Sequence, residues 1–217
     1  MLYKAIFVKI VYRKIMEIME RDIGMKKYEE EHYRYDSIKE NIYPWVKNDL
    51  IDSHALNGKS FSEKDTPVIA FIGDLKIIFA IKRDGDSYEI LKDNMLPPDI
   101  NIEELYHTAC ENLVRDVEFV IGNTWYGAFG ILADGVHEAS AVCFKHIWQV
   151  CVDKLKDDLV IMVPAKDTVL FAPAGQKEVV DKMIEHGQGA YDTGTDRISM
   201  QLFYFSQAKK ELSIYEA

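Results

Sequence analysis

Apolar positions change their spacing along the chain, and the changes mark elements. Over residues 2–22, Ile6, Ile10, Val11, Met16 and Met19 recur near helical spacing without Pro or Gly, which predicts a helix stopped by Gly24. Residues 26–41 are very polar, with Glu29-Glu30-Glu31 among Tyr28, Tyr33 and Tyr35, and read as a solvated helix or linker. The internal boundary is therefore placed here: an N-terminal helical appendage over 1–41 and one domain over 42–217. Ile42-Tyr43-Pro44-Trp45-Val46 is a short apolar knot, and residues 52–66 are loop-like.

Strand patterning follows. Residues 68–72 and 76–81 are apolar and β-branched, and residues 87–91 alternate around Tyr88 and Ile90. Asp84-Gly85 predicts a hairpin turn, because Gly accepts the positive φ such turns require. After Pro97-Pro98, Asn101 is the expected cap of a helix to about Arg115, with Ile102, Leu105, Tyr106, Ala109 and Leu113 on one stripe. Two strands are expected at 117–121 and 125–132, turned by Gly122-Asn123. Residues 137–156 predict a helix with an unusually wide apolar arc of Cys143, Phe144, Ile147, Trp148, Cys151, Val152 and Leu155. Such an arc is buried between layers or meets a partner. Strands at 159–163 and 169–172, a helix at 175–187, a glycine-rich loop and a final hairpin of 198–205 with 211–215 complete the reading. Short connections and hairpins favour antiparallel pairing, so the expected class is α+β: helices packed on an antiparallel or mixed sheet.

Charge and composition narrow the function classes. The chain of 217 residues is 48% hydrophobic, enough for a real core. Its 26 basic and 36 acidic residues give a net charge of −10, which repels phosphate backbones and disfavours nucleic acid as a partner. The seven Lys/Arg and three acids of residues 1–28 read as a solvated helix face. Three cysteines in apolar stretches, with no leader or membrane-length apolar run, point to a reducing cytoplasm and no membrane.

Catalytic motifs are sparse. Asp192-Thr193-Gly194-Thr195 matches the aspartic-protease string, but it follows a glycine-rich loop instead of an apolar strand, so it reads as a turn. His107 with Cys110, and Cys143 with His146, have zinc-like spacing within each pair, yet His107 falls about 140° from Ile102 on the wheel. No metal site and no cofactor are predicted. The densest polar cluster is Ala133-Asp134-Gly135-Val136-His137-Glu138, with Trp125 upstream. Trp125, Asp134, His137 and Glu138 are the candidate ligand residues: free N–H groups at a helix start can bind an anion, and His137 can serve as a base oriented by a carboxylate. The same acids also suit simple capping.

Several strings together resemble the YtpQ-like family of uncharacterised bacterial proteins, a domain of unknown function. They are Ile42-Tyr43-Pro44; Tyr88 and Ile90 with Met95-Leu96; Ala109 with Asn112-Leu113; Ala133-Asp134-Gly135 with Ala139-Ser140; Leu159 to Pro164 with Asp167 and Leu170; and Ser199 with Phe203-Tyr204. They run in order over residues 42–205. Family members carry a longer N-terminal region, and residues 1–41 depart from it. The resemblance implies a cytoplasmic bacterial protein with an α+β fold, and it transfers no catalytic residues. Three functions are then weighed. The first is a non-enzymatic interaction or regulatory domain, a homodimer or a binder of a protein partner through 137–156. The second is an enzyme or small-ligand binder using the 123–138 region. The third is an acidic immunity-type binder of a basic protein, steered by the charge of −10.

Overall fold

A computed structural model of the protein describes residue 21 and residues 34–48, 64–85, 87–194 and 196–216. The helix expected over 2–22 lies outside the described residues apart from residue 21, and so does most of the 52–66 loop. The described part is α+β, built on two sheets whose strand pairs are all antiparallel.

The first sheet centres on β3 (Leu75–Lys82), with β1 (Ile42–Lys47) along one edge. β2 (Ile69–Ile72) and β4 (Tyr88–Ile90) share the other edge, one after the other. The expected Asp84-Gly85 turn joins β3 to β4, with Gly85 at φ +73°. The apolar knot is β1 itself, buried at all six positions. It shows no alternation because both of its faces are covered, and Pro44 is tolerated on an edge strand, where a missing N–H costs no ladder bond. Ile42 and its neighbours Phe79 and Ile81 pack against α1 (Ile102–Asp116) through Leu105 and Ala109. Asn101 caps α1 as expected, accepting from the Glu103 N–H at 2.8 Å. The buried Asn112 of α1 donates to the carbonyls of Lys39 and Ile42, tying the 34–41 segment and β1 to the helix.

The second sheet runs in the order β10-β9-β7-β8-β6-β5. Its strands are β5 (Val120–Asn123), β6 (Phe129–Leu132), β7 (Leu159–Ala165), β8 (Thr168–Pro173), β9 (Leu202–Phe205) and β10 (Leu212–Ile214). One face (Ile131, Ile161, Val163, Phe171) receives α2 (Lys145–Leu155) through Trp148, Cys151 and Val152. The other face (Val160, Met162, Ala172) receives α3 (Lys177–Thr193) through Val180 and Met183. Helices thus cover both faces of the sheet.

Three boundaries differ from expectation. The 137–156 helix is a 3-10 segment, Glu138–Cys143, followed by α2 after a break at Phe144. Tertiary bonds cause the break: the Ala139 N–H donates to the Lys166 carbonyl at 3.0 Å and Ser140 Oγ to the Pro44 carbonyl at 2.7 Å, which fix this backbone outside α geometry. α3 continues past Gly187 to Thr193, through the stretch expected as loop. A Cβ at Gly187 would stand 2.2 Å from Met162 Sδ, so the glycine lets helix and sheet approach, and that contact offsets its roughly 1 kcal/mol helix cost. The β5–β6 turn lies at Trp125-Tyr126-Gly127 instead of Gly122-Asn123, closed by Thr124 N–H on the Ala128 carbonyl with Gly127 at φ +96°.

The two sheets are joined by polar contacts. The β2–β3 turn places Asp74 where it accepts from Ser199 Oγ at 2.6 Å and Asn48 Nδ2 at 2.9 Å, while its N–H donates to Gln201. Gly73, at φ +55°, is needed there: a Cβ would lie 1.9 Å from Gln201 Oε1. Asp196 pairs with Lys166 at 2.9 Å and Lys47 at 3.6 Å.

Candidate functional site

β6 ends in the turn Ala133-Asp134-Gly135, with Gly135 at φ +81°, and the chain dives inward. Asp134 Oδ1 accepts from the N–H groups of Val136 at 3.0 Å and His137 at 2.9 Å, and Oδ2 lies 2.8 Å from His137 Nδ1. Glu138 Oε1 accepts from the N–H groups of Ala133 at 3.0 Å and Gly135 at 2.8 Å. The N–H groups of this loop are therefore held by its own carboxylates instead of being open to an anion. His137 and Glu138 are buried, 1% and 5% exposed. The imidazole is enclosed by Tyr43, Tyr88 and Trp45, with ring centroids at 5.3, 5.4 and 6.4 Å.

Electrostatics follow from this burial. Desolvation lowers the His137 pKa, and hydrogen bonding to Asp134 only partly offsets it. Burial pushes Asp134 up, but the His137 ring and the backbone donors outweigh it and hold the carboxyl below its ordinary range. At neutral pH this is a neutral imidazole donating from Nδ1 to a carboxylate. Among the described residues, His137 Nε2 and Glu138 Oε2 are buried without a hydrogen-bond partner. The geometry is that of a loop fastener set against β1, with Ser140 continuing the attachment.

Trp125 is not brought to this cluster. It sits on the turn that precedes β6, while Asp134 follows that strand, so the two lie toward opposite ends of β6. Trp125 is 85% exposed and stands edge-on to Tyr126 and to His186 of α3, which stack on each other at 4.2 Å.

The zinc-spaced pairs do not assemble: among the described residues no three His, Cys, Asp or Glu side chains stand close enough to hold a metal ion. The cysteines are free thiols. Burial pushes Cys110 and Cys151 up to about 11, and Cys143 also upward, which suppresses the thiolate a nucleophile needs. A polar cleft of about 740 Å³ beside Tyr43 and Lys82 pairs much of its charge internally: Arg115 bonds Asp116 and Glu40, and Tyr43 donates to Asp116 at 2.7 Å. Burial and that carboxylate raise the Tyr43 hydroxyl to about 12.

The feature that the motif search missed is apolar. Val114 of α1, Phe119, Ile121 of β5, Ile131 of β6, and Phe144, Ile147 and Val150 line an open groove of about 320 Å³. Beside it runs β5, an end strand of its sheet, paired only with β6 among the described residues. The sequence signal was available: residues 119–133 contain no charged side chain over fifteen positions, in a chain that is 29% charged. That run forms the β5–β6 hairpin, and Val120, Ile121, Trp125 and Leu132 within it are 41–85% exposed. Of the 137–156 stretch, residues 138–142 turn inward, and His146, Ile147 and Val150 reach the groove.

No family model, curated protein or solved structure matches the chain. Among the described residues no helix is long and apolar enough to cross a membrane.

Proposed function

We propose that the protein is a non-enzymatic interaction domain that receives an extended protein segment along β5, with apolar side chains of that segment entering the adjoining groove. The observation that carries this reading is the charge-free, exposed β5–β6 hairpin at a sheet end. Sheet ends in proteins that stay alone are guarded by charge, Pro or a covering element. The opposite end of the same sheet has that guard: β10 is three residues long, preceded by Lys209, Lys210 and Glu211 and followed closely by Glu216. An open strand supplies backbone hydrogen bonds and its neighbouring groove supplies side-chain selection, the division of labour in strand addition. A cytoplasmic setting belongs to the same reading, supported by the three free thiols.

In-cell photocrosslinking tests it. A photoreactive residue at position 121 or 150 of the full chain is expected to give discrete protein adducts. The same residue at exposed position 182 on α3 is expected to give none. Equal labelling at all three positions, or none at 121 and 150, overturns the reading.

A further inference from the structure

We infer, resting on that reading, that the segment received along β5 is β5 of a second copy of this chain, antiparallel about a twofold axis through Ile121.

Backbone direction sets the register. The Thr124 N–H bonds inward to the Ala128 carbonyl, and Val120 and Gly122 sit opposite Leu132 and Gly130 in the same ladder. By antiparallel alternation, Val120, Gly122 and Thr124 spend their backbone groups on β6, and Ile121 and Asn123 direct theirs to the open edge. A twofold axis through Ile121 then forms one doubly bonded pair at the axis and sets Asn123 against the outward-facing Phe119 position on each side.

Side chains and charge agree with this register. Val120 faces Gly122 of the other copy, which opposes it with no side chain; Leu132 Cδ1 stands 3.1 Å from where a Cβ on Gly122 would lie. Glu118 faces Thr124, so no acid opposes an acid. Trp125, the most exposed large apolar side chain among the described residues, stands in the turn just beyond this register. Two chains of charge −10 repel over most of their surfaces, and the charge-free run of 119–133 is where they can close without juxtaposing like charges. The two six-stranded sheets thereby join into one of twelve strands.

Sedimentation velocity of the full chain at micromolar concentration is expected to give a dimer, and Ile121→Lys half that mass with an unchanged far-UV spectrum. Ile121→Cys is expected to oxidise to a covalent dimer, because paired Cα atoms about 5.5 Å apart suit a disulfide. Leu132→Cys on the same hairpin is not. A monomeric wild-type chain, or oxidation at 132 in place of 121, overturns the inference. A monomer that still crosslinks a different protein at 121 overturns only the second copy as partner; a monomer that crosslinks nothing there overturns the interaction reading as well.

Discussion

Two neighbouring stretches of this chain invert the usual partition of side chains. Residues 119–133 carry no charge, and Val120, Ile121, Trp125 and Leu132 among them are exposed at a sheet end; in residues 134–138 it is the polar His137 and Glu138 that face inward. Exposed apolar residues are common singly, and buried charged ones are rare unless paired, so an adjacent reversal of both is informative. The polar stretch is closed. Asp134 and Glu138 between them hold four backbone N–H groups of their own loop, and Ser140 bonds β1. The apolar stretch is open, with exposed side chains and outward backbone groups. A closed region acts on stability, and an open one acts on association.

Substitutions should separate the two. The largest expected effect is at Glu138→Ala, which removes the buried side chain that the part-buried N–H groups of Ala133 and Gly135 donate to; a loss of about 1–3 kcal/mol follows from two lost hydrogen bonds, measured by urea unfolding. Ser140→Ala removes the bond to the Pro44 carbonyl and is expected to cost about 1–2 kcal/mol in the same measurement.

His137 gives the pH dependence. Its pKa is lower folded than unfolded, so between the folded value and about 6.5 the unfolded chain binds the extra proton. This contribution is fully present above about 6.5 and declines as pH falls through that window. His137→Gln should flatten the fall of the unfolding midpoint from neutral pH into this range; an equally steep fall would show that the imidazole is not its source. The smallest stability effects belong to the open region: at a dilution where every chain is monomeric, Ile121→Lys and Leu132→Lys should each stay within about 0.5 kcal/mol of wild type, since neither side chain is buried. Only Ile121→Lys should abolish association.

Much of the fold was legible in the residues. Asn101 as a cap, Asp84-Gly85 as a turn and the Leu105/Ala109/Leu113 stripe carry local signals that tertiary structure did not override. β1 lacked its signal because a strand covered on both faces has no alternation. The break at Phe144 and the continuation through Gly187 were not legible, because bonds to Lys166 and Pro44 and the approach of Met162 come from distant segments. At the candidate site, sequence proximity grouped Asp134, His137 and Glu138; Asp134 does pair with His137, and Glu138 bonds the backbone of the same loop. It also grouped Trp125, which the position of the turn carries to the far end of β6. Polar residues alone do not reveal whether they face in or out. The charge-free run pointed to the exposed hairpin, and a search for catalytic motifs passes over it. Asn112, Ser140 and Ser199 all serve as hydrogen-bonding fasteners between segments.

The central claim, that another copy of the strand completes β5, is tested most directly by residue-resolved amide hydrogen exchange on the full chain over a dilution series. The account predicts that Ile121 and Asn123, whose N–H groups face the open edge, gain protection as concentration rises. Gly122, bonded to β6, should be protected throughout. Free exchange at 121 and 123 at every concentration would contradict it.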